Sequence, residues 1–267
     1  MYKIIALDMD GTLLNEKKEI TPKTKEALQK AKDKGVKVVL ASGRPIEGLY
    51  KYLHELDLVQ DGQYVLSYNG CLVQETKSKK IICEMGLKGS DLSYTYEIAK
   101  KLNVNIHAFS ATRGLITPKM NTYTKYEADM NGIEASVVSF EDLDPSEDII
   151  KIMFIDEPEI LEEAIKKMPK ELYGKYTVVR SAPFFLEVIN KESNKGVGLK
   201  ALADSLGVKE EEVIACGDAS NDLAMIEYAG LGVAMENATD DVKEIANYQT
   251  KSNNEDGIAE VVNKFIL

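Results

Sequence analysis

Apolar residues along the chain alternate between two rhythms: unbroken runs of four or five, and longer stretches where they recur every three or four positions. Lys3 to Leu7 is the first unbroken run and predicts a short buried strand. Thr21-Pro22 then supplies a helix N-cap with proline at the first helical position. Ala27, Leu28 and Ala31 fall on one face of that helix, Gly35 ends it, and Val36 to Leu40 forms a second run. Unbroken rather than alternating hydrophobicity predicts parallel strands covered on both faces. A second helix is expected from about Ile46, with Leu49, Leu53 and Leu56 inward. Strands follow at Tyr64 to Ser67 and Leu72 to Gln74 around an Asn69-Gly70 turn, and Lys77 to Lys80 reads as a solvated turn.

From about Glu84 to Val188 the β/α alternation gives way to a mixed pattern. Helical spacing appears at Asp91 to Leu102 and Glu157 to Met168, and strands at Ile149 to Ile155 and Tyr176 to Ile189. After Asn194 the alternation resumes: helix Lys195 to Leu206, strand Val213 to Cys216, helix Asp222 to Ala229, strand Leu231 to Met235. The pattern predicts an α/β fold in which a discontinuous parallel-sheet core, residues 1–83 plus 189–267, is interrupted by an α/β module over 84–188. A length of 267 residues agrees, because single cores stop growing near that size.

Hydrophobic residues at 44% and charged residues at 29% describe an ordinary globular chain. The formal net charge of -11, with no basic run, argues against nucleic acid and membrane surfaces as partners. The same field repels an anionic substrate, so a phosphate site would need its own local positive charge. Cys71, Cys83 and Cys216 are widely spaced and odd in number, as expected of reduced thiols in a cytoplasmic protein. Asp8 and Asp10 interrupt what would have to be a signal-peptide core, and no apolar run reaches transmembrane length.

Asp8-Met9-Asp10-Gly11-Thr12 follows the first strand at the carboxyl end, where open parallel sheets bind ligands. Alone, D-x-D-G is as often a simple turn. Ser42-Gly43-Arg44 follows the second strand and opens a helix, either as a plain cap or as a cradle for phosphate oxygens. Gly217-Asp218 through Asn221-Asp222 follows a later strand at the same edge. Four acidic side chains gathered there, Asp8, Asp10, Asp218 and Asp222, would repel one another by roughly 4 kcal/mol per close pair at an effective dielectric near 20. An oxygen-ligated divalent cation, Mg²⁺ foremost, resolves that conflict. Lys195, between Asn194 and Gly196, opens a helix at the end where lysine is disfavoured by the dipole, which an ammonium aimed at phosphate and at a carboxylate would explain. Histidine chemistry is short of supply, with only His54 and His107, and both are read as structural or surface residues. Cys71 and Cys216 read as small buried residues. Asn69-Gly70, at the end of a core strand, is placed to line the same site.

Together Asp8-Met9-Asp10-Gly11-Thr12, Ser42-Gly43-Arg44, Lys195 and Gly217-Asp218 through Asn221-Asp222 resemble, in order and spacing, the four motifs of the haloacid dehalogenase superfamily. The insert between the second and third motifs resembles the cap of the Cof-type subgroup. Tyr68-Asn69-Gly70 and Asn194-Lys195-Gly196 resemble that subgroup in detail, and the whole chain is similar to bacterial YidA-type sugar phosphatases. Cys71 departs from the alanine that such relatives often carry after the Asn-Gly pair. The resemblance implies a Rossmann-like core with Asp8 as nucleophile and Asp10 as acid and base. It implies Mg²⁺ on the Asp8 side chain, the Asp10 carbonyl and Asp218, with Asp222 orienting Lys195. Ser42, Lys195 and Asn221 would hold phosphate, helped by the Met9 and Gly43 amides, and Arg44, Asn69, Gly70 and Asn194 would complete the substrate-binding set.

The expected activity is therefore Mg²⁺-dependent hydrolysis of a small phosphate ester, a sugar phosphate by preference, with the insert closing over the site and selecting the leaving group. A phosphomutase on the same core and a non-catalytic phosphate-binding module are the alternatives. Arg113, Tyr123 and Arg180 in the insert read equally as substrate contacts or as surface packing. Monomer and homodimer are both compatible with the sequence.

Overall fold

The computed structural model describes residues 1–267. Five strands come first: β1 (Ile4–Leu7), β2 (Lys37–Ala41), β3 (Tyr64–Ser67), β4 (Leu72–Glu75) and β5 (Ile81–Glu84). Seven follow: β6 (Leu87–Lys88), β7 (Asn105–Ser110), β8 (Gly114–Thr117), β9 (Ala135–Val137), β10 (Asp148–Ile155), β11 (Tyr176–Ala182) and β12 (Phe185–Asn190). The last three are β13 (Val213–Gly217), β14 (Leu231–Ala234) and β15 (Tyr248–Gln249). The chain divides into two compact units, Met1–Glu84 with Asn194–Leu267, and Met85–Ser193. The second division falls at 193/194 rather than 188/189, because Ile189 and Asn190 still pair with Thr177 and Tyr176 in the last hairpin of the insert.

In the first unit the sheet runs β15-β14-β13-β1-β2-β3-β4-β5. Strands β15 through β3 are parallel, and β4 and β5 pair antiparallel beyond them. All four residues of β1 are fully buried, which explains why the run carries no polar position: helices cover both faces. The chain winds outward from β1 through β2 and β3 on one side and β13 through β15 on the other. Strand order therefore reverses at β1, and the loops after β13, β1, β2 and β3 lie side by side at one sheet edge. Helix Pro22–Asp33 begins at Thr21, whose side chain accepts from the Thr24 amide, and buries Ala27, Leu28 and Ala31. The segment expected as a helix from Ile46 opens as a 3-10 turn and becomes α-helical only at Tyr50–Glu55.

The second unit is a sheet in the order β11-β12-β10-β7-β8-β9, with β6 added against β10. Leu92, Ile98 and Ala99 of helix Gly89–Leu102 and Leu161 of helix Pro158–Ile165 pack with Ile106, Ile152, Phe154 and Val188 from one sheet face. The alternate residues His107, Lys151 and Met153 point the other way. There they meet helix Thr122–Asn131, whose Thr124 hydroxyl lies 3.2 Å from His107 Nδ1. Lys151 is buried between Glu187 at 3.4 Å and Glu127 at 3.9 Å.

His107 is fully buried, and loss of hydration pushes its imidazole down to about 3, helped by the charge of Lys151. A histidine depressed in the folded state protonates first in the unfolded chain, so its contribution to stability is complete above the ordinary histidine value and is lost as pH falls toward 3. At pH 5 the loss is about 2 kcal/mol relative to pH 7. Other groups titrate over the same range, so the effect is read as a difference: urea unfolding at the two pH values should show wild type gaining about 2 kcal/mol more than His107→Gln between pH 5 and pH 7.

Candidate active site

Asp8 follows β1, Ser42 follows β2, Tyr68 follows β3 and Asp218 follows β13, so the sheet order brings these segments together. Gly11 has φ +87°, and a Cβ there would lie 2.2 Å from Asp218 Oδ2. The glycine thus permits both the turn and the approach of the β13 loop. The Thr12 hydroxyl donates to Asp218 Oδ1 at 2.8 Å, and the Asn237 amide donates to the Gly11 carbonyl at 2.8 Å. Thr12 and Asn237 had no assigned role in the sequence. The signal for Asn237 was its place beyond the carboxyl end of β14, the next strand of the same edge.

Lys195 lies at the first turn of helix Lys195–Ser205 with its side chain fully buried, Nζ 2.5 Å from Asp8 Oδ1 and 2.6 Å from Asp222 Oδ1. Asn194 caps this helix by accepting from the Val197 amide at 2.9 Å. The start of the helix is held against a left-handed turn in which Tyr68, Asn69 and Gly70 have φ of 50°, 56° and 83°. A Cβ on Gly70 would meet the Asn194 carbonyl oxygen at 2.5 Å, so only glycine allows this contact.

The carboxylates of Asp8, Asp218 and Asp222 converge, with ligand atoms within 4.8 Å of one another. Asp222 also organises its own loop, its Oδ2 accepting from the amides of Asp218 at 3.0 Å and Ala219 at 3.1 Å. Burial pushes the Asp8 carboxyl up to about 7; Lys195 pulls it down, and Asp222 and Asp218 push it further up. Burial likewise raises the Asp218 carboxyl, against the hydrogen bond from Thr12. Burial alone would lower Lys195, yet the carboxylates of Asp8 and Asp222 outweigh it and raise its value. Three carboxylates thus share one ammonium. That excess of negative charge, on oxygen ligands, suits a hard divalent cation.

Asp10 departs from the expected gathering of four acids. Its carboxylate turns to cations instead, accepting from Lys18 Nζ at 2.6 Å and from Arg44 Nη2 at 2.9 Å and 2.7 Å. Burial works to raise it, but Lys18 and Arg44 prevail and hold it below the usual carboxylate value. Arg44, expected in the substrate-binding set, directs its guanidinium to Asp10. The Ser42 hydroxyl is buried and accepts from the Arg44 amide at 3.2 Å. Asn221 Nδ2 donates to Asn69 Oδ1 at 3.1 Å, and Gly43 lies against that asparagine, where a Cβ would come 3.2 Å from Asn69 Nδ2. The Met9 side chain is buried in the core.

The insert residues Arg113, Tyr123 and Arg180 are engaged within their own unit, with Glu147, Glu157 and Glu162. Cys71 and Cys216 are buried, and loss of hydration pushes the Cys216 thiol far above its ordinary value, which suits packing rather than nucleophilic attack. No helix is long and apolar enough to cross a membrane.

The profile of the haloacid dehalogenase-like hydrolases matches residues 5–262. The predicted phosphatase YxeH of Bacillus subtilis (strain 168) is 44% identical over 100% of this chain and 99% of its own. A crystal structure of a haloacid dehalogenase-like hydrolase from Bacteroides thetaiotaomicron matches with a TM-score of 0.87 at 35% identity, covering 100% of both chains. The HAD subclass IIB sugar phosphatase BT4131 matches with a TM-score of 0.77 at 27% identity, covering 98% of each. With these likenesses over its full length, the chain belongs to the haloacid dehalogenase-like hydrolase family and is a phosphatase of that family.

Proposed function

We propose that this phosphatase hydrolyses sugar phosphates or similar small phosphomonoesters, with Mg²⁺, through an aspartyl-phosphate on Asp8. The observation that carries the reading is the meeting of Asp8, Lys195, Asp218 and Asp222 at one sheet edge. The likeness to a sugar phosphatase supports the substrate class.

The Asp8 carboxylate, the Asp10 carbonyl and Asp218 would hold the ion, which supplies charge that a carboxylate needs before it can approach a phosphate dianion. Lys195 adds a fixed positive charge at the oxygen of Asp8. An Asp8 oxygen attacks phosphorus, the ester P–O bond breaks, and Asp10 gives its proton to the departing oxygen. Asp10 then takes a proton from water as that water attacks phosphorus and frees Asp8. Ser42, Asn221 and the amides of Met9 and Gly43 hold the transferring group, with Asn69, Gly70 and Asn194 shaping the ground around them.

The test is phosphate release from a panel of phosphorylated metabolites and from p-nitrophenyl phosphate, before and after chelation. Chelation should lower turnover by about 10²-fold or more, with recovery on added Mg²⁺ and none on added Ca²⁺. Full turnover in the chelator would overturn metal dependence, and activity confined to phosphodiesters would overturn the substrate class.

A further inference from the structure

Asp10 needs a defined place from which to exchange a proton, and three donor contacts fix its carboxylate: one from Lys18 and two from Arg44. Each cation is itself anchored. The Arg44 backbone is held on both sides, its amide donating to Ser42 Oγ at 3.2 Å and its carbonyl accepting from the Tyr68 amide at 3.1 Å. Its guanidinium carbon lies 5.9 Å from the ring centroid of the buried Tyr52. Tyr52 also reaches the other cation's loop, its hydroxyl donating to the Lys18 carbonyl at 3.2 Å. Lys18 sits in a tight turn with φ 59°, its amide donating to the Asn15 carbonyl at 2.9 Å. Tyr52 thus joins two separate loops, and both loops end on one carboxylate.

We propose that Arg44 is a positioning residue for proton transfer, fixing the Asp10 carboxylate, with Lys18 and Tyr52 completing the frame. This rests on the role given to Asp10 above. With both oxygens accepting from Lys18 and Arg44, Asp10 takes up its proton only as one of these contacts gives way. In the first transfer that proton moves to the ester oxygen as its bond to phosphorus breaks, so Asp10 matters most where the departing oxygen is strongly basic. Arg44 acts through Asp10 and inherits that dependence. A guanidinium suits the task because one nitrogen spans both carboxylate oxygens, which the compact lysine ammonium does less well.

The experiment measures leaving-group release in a single turnover for p-nitrophenyl, phenyl and benzyl phosphate, in wild type, Arg44→Met, Arg44→Lys, Asp10→Asn and the Arg44→Met/Asp10→Asn double variant. Arg44→Met should lose about 10²-fold on benzyl phosphate and less than about threefold on p-nitrophenyl phosphate, with half-saturating concentrations unchanged within about twofold. Arg44→Lys should recover part of the benzyl loss, and the double variant should be no slower than Asp10→Asn alone. Equal losses on all three esters with weaker saturation would place Arg44 on the phosphate and overturn the proposal. Equal losses with a lowered melting temperature, or additive losses in the double variant, would overturn it too. If Asp10→Asn itself shows no leaving-group dependence, the role of Asp10 falls; if Asp10→Asn shows it and Arg44→Met does not, the positioning role alone falls.

Discussion

Asp8→Asn should lower turnover of every phosphate ester by about 10⁵-fold or more while leaving the fold intact. The magnitude is that of removing a nucleophile whose partners remain in place. The amide has the shape of the carboxylate but not its nucleophilic oxygen, and it cannot form the acyl phosphate without first being hydrolysed. The structural half of the prediction follows from charge. Wild-type Asp8 is one of three carboxylates that converge, two of them on Lys195, and burial already disfavours its ionised form. Neutralising it removes repulsion with Asp222 and Asp218, and Lys195 keeps its bond to Asp222. Thermal unfolding without metal should therefore give a midpoint equal to or slightly above that of the wild type. A midpoint several degrees lower would mean that Asp8 stabilises the fold, and residual turnover above about 1% would remove it as nucleophile.

Much of this centre was legible in the sequence because its parts follow strands, and parallel strands read as unbroken apolar runs. Ile4 to Leu7 and Val213 to Gly217 are buried throughout, so the residues after them had to emerge at an edge. Lys195 was legible for the opposite reason: a lysine at the start of a helix opposes the dipole, and its two carboxylate partners account for it. What stayed hidden is long-range polar pairing. Nothing local to Ser42-Gly43-Arg44 says that the guanidinium meets Asp10 rather than a phosphate, because the turn that presents Lys18 and the ring of Tyr52 set that geometry together.

Helix Thr122–Asn131 in the insert shows the same limit from another side. Its buried positions are Thr124, Glu127, Ala128 and Asn131, at helical spacing but mostly polar, while Tyr126 and Met130 face outward at 49% and 58% exposure. Periodicity is sought in apolar residues, so an inverted helix is invisible to it. The inversion has a cause in the sheet beneath. Lys151 and His107 point up from β10 and β7, and Glu127 and Thr124 answer them. The partner of each polar group lies on another element, 17 residues away for His107 and Thr124, and a pattern read locally cannot anticipate it.

Lys195→Met should abolish activity, by about 10³-fold or more, and unlike Asp8→Asn it should also destabilise the fold, in a manner that depends on pH and metal. In the wild type the ammonium is fully buried between Asp8 and Asp222. Methionine replaces the stem but leaves two buried carboxylates facing each other with Asp218 close by. Removing one partner of a buried charge pair costs about 3–5 kcal/mol, because the remaining charges lose compensation. Asp8, already pushed up to about 7 by burial, rises further once Lys195 no longer pulls it down. A carboxyl raised in the folded state adds stability below its unfolded value and loses it as pH climbs through the folded one. The deficit of Lys195→Met against wild type should therefore be smallest below about pH 7, where Asp8 carries a proton in both, and should grow as pH climbs above it, where the wild-type carboxyl has ionised and the variant's has not. Mg²⁺ should raise the melting temperature of the variant more than that of the wild type, since an ion among three carboxylates replaces the missing charge. Urea unfolding across this pH range, with and without Mg²⁺, measures all three effects. A deficit that stays constant with pH and is indifferent to metal would mean that Lys195 contributes only packing, and that the carboxylates around it are not electrostatically linked.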